Sequence, residues 1–466
     1  MKPNVTLSLA GSTHARLMKH LLSDDGKEAA AILLCSGSPL PRRRLIVRQV
    51  ILVPHEACRH RSSSAIVWPG KYIEDAIDAA EQDGLSIILL HSHPGGWLDF
   101  SAIDNASDAQ VIPCLFEAFG DQHGSAVMTP DGAIRARLYS SDMSCEPVDL
   151  VTVAGDDIQF WWNDQISDGV LAKRPLPFSS NMACELNRLS VAYIGVSGTG
   201  SIAAEQGARV GFGSLTLVDP DRVEGKNLNR ILNSTMDDVS KARLKVEMFA
   251  DAIATFRGIG VAFPVALTIA DRTAIEAVAQ CDVIVCCVDS QEGRQFADMI
   301  ASAFLIPLFD VGVVIPTFVD DGATAIADVC GRIDYIQPGG STLFDRGVYT
   351  PAGLRAEYLR RVDPDAYRDE LEAGYLKGVV EEAPSVITLN MRASSAVMNE
   401  FIARAYPFRQ EPNRLYARTL FSLAACEEDH FAEDDFEHGD DELFGRGSAE
   451  PLLGLPCFHR SRKDAA

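Results

Sequence analysis

Two periods of apolar residues run along the chain and divide it into elements. Apolar positions three and four apart predict helices over 12–22, 72–83 and 102–119, while compact apolar runs predict strands over 29–35, 44–53, 85–91, 126–128 and 134–139. From residue 190 the order becomes regular: strand 190–194, a glycine-rich turn, helix 201–210 and strand 214–218. It continues with helix 241–255, strand 261–267, helix 274–279, strand 282–288, helix 294–303 and strand 308–314. Strand, glycine turn, helix and strand in that order open a parallel, doubly wound sheet. The intervening KRPLPFSS, Lys173–Ser180, fits neither period and reads as a boundary. The expected organisation is an α/β domain at 1–150, a linker at 151–181, a doubly wound α/β domain at 182–425 and a terminal segment at 426–466.

The 466 residues leave room for two or three cores, and hydrophobic and charged shares of 47% and 23% are ordinary globular values. Lys and Arg number 42 against 65 Asp and Glu, a net charge of −23 that argues against nucleic acid and anionic membrane as partners. Ten of those acids lie in the sixteen residues Glu427–Glu442, which contain no Lys or Arg. Like-charge blocks usually stay solvated, so a flexible acidic tail is expected there. The eleven cysteines are scattered, with no CxxC pair, which points to a reducing compartment rather than a disulfide framework. With no apolar leader and no run near eighteen apolar residues, the expected location is cytoplasmic.

The sharpest local signal is HSHPGGWLDFSAID, His91–Asp104. Alternation along a strand puts His91 and His93 on one face, at a spacing suited to a shared metal, with Asp104 available as a third ligand. Ser101 and Asp104 also spell the S-x-x-D of a helix capping box; the two readings are compatible, since a capped helix start holds Asp104 in place. The full pattern, H-x-H-P-x6-S-x-x-D with Glu28 upstream in KEAAAILLCSG, resembles the JAMM (JAB/MPN-type) metalloproteases over roughly residues 5 to 145. Members cleave peptide or isopeptide bonds after the tails of ubiquitin-like proteins. The resemblance implies Zn2+ on His91, His93 and Asp104, Glu28 as general acid/base, and Ser101 as an oxyanion contact.

The turn IGVSGTGS carries Gly195, Gly198 and Gly200, whose backbone can approach phosphates, and Asp219 ends the next strand where ribose hydroxyls would lie. A dinucleotide site is the first reading. Asn227 and Arg230 in VDPDRVEGKNLNR favour another, because an enzyme that breaks ATP between its α and β phosphates needs positive charge beside the leaving pyrophosphate. This run resembles the ThiF/MoeB-like adenylation domain of ubiquitin-activating enzymes, over roughly residues 180 to 410. The resemblance makes Asp219 the ribose ligand, Asn227 and Arg230 phosphate contacts, Asp289 the acid near Mg2+, and Lys245, rather than Lys241, the lysine at the ATP. Arg188 reads as a solvated arginine more readily than as a nucleotide contact across a dimer. Where relatives carry a CxxC pair or a catalytic cysteine, GRIDYIQPGG is followed by Ser341–Asp345 without a thiol, leaving Cys426, ahead of Cys330, as the thioester candidate.

Together the resemblances imply a bifunctional enzyme that trims or deconjugates a ubiquitin-like protein and adenylates its C-terminal glycine. Its partners would be a ubiquitin-like or sulfur-carrier protein ending in glycine and a conjugating enzyme, with the adenylation domain forming a homodimer. The rival readings are sulfur-carrier activation for thiocarboxylate formation, a non-catalytic binding scaffold, which an intact Glu28 disfavours, and a nicotinamide oxidoreductase, which Asn227 and Arg230 disfavour.

Overall fold

The computed structural model describes residues 2–320, 323–372 and 386–459. Two large sheets organise it. The first runs in the order Ile158–Trp162, Leu150–Ala154, Val5–Ala10, Arg43–Leu52, Ala30–Gly37, Ser86–Ser92, Gln122–Met128, Ile134–Ser140 and Cys145–Pro147. Alternation along Ala30–Gly37 fixes its two faces: Ala31, Leu33 and Cys35 enter one core with Leu17 and Leu21 of helix Gly11–Leu21. Ile32 and Leu34 enter the opposite core, with Ala76 and Ala80 of helix Lys71–Glu81 and Ile112 and Leu115 of helix Ala102–Ala118.

The second sheet has the order Ala262–Val265, Ser214–Val218, Ser190–Ile194, Val283–Cys286, Leu308–Val314, Cys330–Ile336, Arg418–Ser422 and Glu427–Phe431. Its first five strands are parallel and the last three antiparallel. Helices Gly198–Val210, Lys245–Arg257 and Ile387–Ala405 pack on one face, and Arg272–Ala279 and Gln291–Phe304 on the other. Strand order reverses between Ser190–Ile194 and Val283–Cys286, the crevice where doubly wound sheets take ligands. The helix expected over 241–255 begins later, at Lys245, and runs to Arg257, because the chain turns at Ala242 with φ +46° after the short helix Met236–Ser240.

Two expectations need correction. The stretch 151–181 is not a free linker: it supplies strand Ile158–Trp162, most of Leu150–Ala154 and a small hairpin, and Phe160 and Trp162 lie in the same apolar core as the second sheet. Nor does the acidic segment hang free. Glu427–Phe431 is the sheet's last strand, Glu433 is buried against Arg346 at 2.8 Å, and Leu452 and Leu453 are fully buried beside helix Gln291–Phe304. Acids that meet buried arginines and leucines that fill a core outweigh the repulsion of the run. Between the two domains, Asp282 pairs with Arg42 at 2.7 Å and with Arg44 at 3.5 Å. Among the described residues no helix is long and apolar enough to cross a membrane.

Candidate functional sites

The first site assembles at the end of strand Ser86–Ser92. His91 pairs in register with Ala30, so Glu28, two residues before that position, emerges at the same edge. His93 follows the strand, and its backbone N–H donates to Met128 O at 2.8 Å. Asp104 arrives from the first turn of helix Ala102–Ala118, fixed by a capping box: Ser101 N–H donates to Asp104 Oδ2 at 2.6 Å and Asp104 N–H to Ser101 Oγ at 3.2 Å. The ligand atoms converge, with His91 Nε2 3.0 Å from His93 Nε2 and 3.1 Å from Asp104 Oδ1, and His93 Nε2 3.5 Å from Asp104 Oδ2.

These separations test the site for zinc. Ligands at about 2.0–2.1 Å in a tetrahedron lie about 3.3 Å apart, and two imidazoles with one carboxylate are a catalytic zinc donor set. Among the described residues, this is the cluster whose donors could hold a metal. His93 Nδ1 lies 2.8 Å from Trp97 O, so a proton on Nδ1 leaves the Nε2 lone pair facing the other donors. Burial opposes ionisation of Asp104, yet the adjacent rings of His91 and His93 hold its carboxyl far below the usual range. Glu28 shifts the other way: burial raises it and Asp104 adds to the rise, against the pull of His91 and His93. A carboxyl moved toward neutral pH and standing beside the donors without being one of them suits acid/base work. Ser101 Oγ accepts the Asp104 N–H and keeps its own proton to donate.

The second site lies at the switch point of the second sheet. Gly195 has φ +86°, and a Cβ on Gly200 would overlap the Gly195 carbonyl, so the turn is tight enough to need both glycines. Gly198 begins helix Gly198–Val210, beneath the Arg230 side chain. Asp219 is buried; its Oδ2 accepts Val196 N–H at 2.8 Å and its Oδ1 accepts Asp221 N–H at 2.9 Å, leaving a second lone pair on each oxygen. Its carboxyl is raised by burial, which Lys245 opposes from 3.8 Å. Lys245 is itself buried and bonds Asp221 at 2.7 Å, whereas Lys241 is exposed and paired with Asp237. Asn227 is buried and closes its turn by accepting Glu224 N–H; Arg230 is half-buried, and Asp289 is exposed on the turn after strand Val283–Cys286.

Other residues stand apart. Cys426, exposed with φ +57° in the turn between the last two strands, is four strand spacings or more from the glycine turn, on the order of 19 Å across the sheet. Cys330 lies on that extension too, its thiol pushed up to about 11 by burial and Asp328. Arg188 stacks on Trp162 at 3.7 Å and pairs with Asp164. Sequence reasoning missed Asn390 and Ser394 on helix Ile387–Ala405, which hold the helix against the glycine turn: Ser394 Oγ donates to Thr199 O at 2.9 Å. Their spacing with Ala393, Val397 and Phe401 was the available signal.

Residues 11–139 match the family model described as prokaryotic homologs of the JAB domain, and residues 175–345 match the ThiF family. Ubiquitin-like modifier-activating enzyme 5 of Drosophila willistoni is 28% identical over 169 residues, covering 33% of this chain and 38% of that protein. The enzyme of the same name from Oryza sativa subsp. japonica is 24% identical over 259 residues, 53% of each chain. The chain therefore spans between about two fifths and about half the length of these relatives. Among solved structures, E. coli MccB with ATP aligns at a TM-score of 0.41 and 17% identity, over 56% of this chain and 68% of that one.

Proposed function

Since the chain joins a JAB-type domain to a ThiF-type domain, we propose that it is a bifunctional enzyme of a ubiquitin-like pathway, a zinc-dependent peptidase or isopeptidase fused to an ATP-dependent adenylating enzyme. In this reading, it acts in the cytoplasm, as a homodimer through the second domain, on a ubiquitin-like protein ending in glycine that a conjugating enzyme then receives. The observation that carries the reading is the convergence of His91, His93 and Asp104 beside the raised carboxyl of Glu28, in the same chain as a glycine turn with Lys245 at its rim. Both sites would handle one object, an extended tail whose last residue is a small amide or carboxylate.

At the first site, zinc bound to the three donors would lower the pKa of a water and polarise the scissile carbonyl. Glu28 takes the proton of the attacking water and passes it to the departing amine, and Ser101 donates to the carbonyl oxygen. At the second, the tail carboxylate attacks the α phosphate of ATP and pyrophosphate leaves. Arg230 and Lys245 balance the charge that develops there, Asn227 contacts the phosphates, Asp219 holds the ribose, and Asp289 would hold magnesium.

The test is ATP–pyrophosphate exchange with and without a glycine-ended partner. Exchange should need the partner, vanish in Asp289→Ala and survive in Glu28→Gln; exchange with no protein partner would refute the two-site reading, in which the adenylated group is the partner's C-terminal glycine. Cleavage should follow the opposite mutant pattern and stop on chelation. A second reading, activation of a sulfur carrier for thiocarboxylate formation, draws support from the place of Cys426, the thioester candidate, four strand spacings or more across the sheet from the glycine turn.

A further inference from the structure

Residues 163–179 connect the two domains, and their ISDGVL segment forms a small hairpin. Ile166–Ser167 pairs antiparallel with Val170–Leu171 around Asp168 and Gly169, at φ +50° and +70°, the two-residue turn that Asp-Gly favours. Ile166 and Leu171 pack against the core of the first domain. The turn then lies on the loop that follows the metal-site histidines. Leu98 N–H donates to Gly169 O at 2.8 Å, and a Cβ on Gly169 would overlap Cδ1 and Nε1 of the Trp97 indole. Trp97 in turn accepts from His93 Nδ1 through its carbonyl, and its ring runs parallel to the imidazole, 9° between planes with centroids 6.2 Å apart. At its other end, the hairpin is tied to the second domain: Gln165 Nε2 donates to Glu185 Oε2 at 3.3 Å, on the helix that precedes strand Ser190–Ile194.

We infer that the Asp168–Gly169 hairpin of the interdomain connection is part of the metal site, with Gly169 a positioning residue that acts through Trp97 on His93. The inference rests on the proposed metal-binding role of His91, His93 and Asp104. A histidine ligand binds well only if its second nitrogen holds a proton and its ring is aimed, and the partner of that nitrogen does both. Here the partner is a backbone carbonyl in a glycine-rich loop, HPGGWL, with Gly96 at φ +80°. Packing of the turn on the indole and the Leu98–Gly169 hydrogen bond restrain that carbonyl. The interdomain connection thereby braces a site whose donors all lie in the first domain.

Asparagine accepts a left-handed backbone, so Gly169→Asn adds a Cβ against the indole while avoiding most of the backbone strain. In the full chain, Zn2+ affinity measured by competition with a chromophoric chelator should fall about ten- to a hundredfold, the usual cost of losing an outer-shell partner. The visible spectrum of the Co2+-loaded protein should shift, with the melting temperature nearly unchanged. In a Trp97→Ala background, where the carbonyl remains and the indole is gone, the same substitution should cost no affinity. Equal losses in both backgrounds, or no loss in the wild type, would overturn the positioning role. Failure of the wild-type chain to bind one Zn2+ that depends on Asp104 would instead sink the metal reading on which it rests.

Discussion

The ion pair between the domains gives a stability prediction whose size follows from the structure. Asp282 accepts Ser190 N–H and Oγ–H, each at 2.8 Å, and faces two guanidiniums, Arg42 at 2.7 Å and Arg44 at 3.5 Å. The carboxylate and Arg44 are sealed, with side-chain exposures of 1% and 2%, while Arg42 keeps 11%. In Asp282→Asn the volume and one acceptor remain, but Arg44 becomes a buried cation with no counter-charge, held by the neutral carbonyls of Ala279 and Cys281. Removing one partner of a buried pair costs about 3–5 kcal/mol. Arg42 can turn toward water, so the lower end, about 3 kcal/mol, is expected. Removing the stranded charge as well, in Asp282→Asn with Arg44→Met, should recover part of the loss. Burial opposes ionisation of Asp282, yet Arg42 and Arg44 hold its carboxyl below the ordinary value. Stability from a depressed carboxylate is present above the unfolded pKa of about 3.9 and is lost as pH falls through the folded one. The difference between wild type and Asp282→Asn should therefore be full at pH 7 and shrink below about pH 4. Urea unfolding followed by circular dichroism measures it; a loss under about 1 kcal/mol, or a further loss on adding Arg44→Met, would refute the reasoning.

Three further outcomes are expected. Glu28→Gln should lower peptide-bond cleavage by about 10²–10⁴-fold while the chain still takes up zinc, since Glu28 is not among the three converging donors; chelator competition separates the two effects. Lys245→Met should reduce ATP–pyrophosphate exchange by about 10²–10³-fold, whereas Lys241→Met, on the outer surface beside Asp237, should leave both exchange and melting temperature near wild type. Leu452→Ala should destabilise the chain by about 2–5 kcal/mol in thermal or urea unfolding, because the side chain is fully buried; a terminal segment that hung free would register almost nothing.

Legibility in the sequence followed how far each segment's polar side chains face water. Strands Ser190–Ile194, Ser214–Val218 and Leu308–Val314 are bounded where the apolar runs end, since both of their faces are covered and little else sets their limits. Val5–Ala10 alternates as a half-exposed strand should, yet its polar residues are buried: Thr6 accepts from Arg42 and Ser8 from Thr152. Helix Ile387–Ala405 hides its period in the same way, because Asn390, Ser394, Glu400 and Arg404 are buried polar groups: Asn390 and Ser394 meet Thr199 and Arg404 reaches Asp156 O, far off in sequence, while Glu400 pairs with Arg404 and Arg409. The two sites show the contrast most clearly. His91, His93, Ser101 and Asp104 are read from one fourteen-residue window because a strand end and a capped helix start bring them together locally.

The hairpin that braces them is of the other kind. Asp168–Gly169 between Ile166 and Val170 spells a tight turn, but what the turn rests on is set by the tertiary fold. The acidic run teaches the same point about charge. Glu427, Glu428 and Asp429 are exposed, as a solvated block should be, while Glu433, four residues on, is buried by Arg346, which also holds Asp334 at 3.1 Å and donates to Ser341 Oγ at 2.8 Å. That cluster occupies the segment where the sequence lacks a CxxC pair, and it supplies ionic contacts that draw the terminal segment onto the second domain. Net charge was a poor guide there because one buried arginine decides where an acid goes more strongly than its charged neighbours along the chain do.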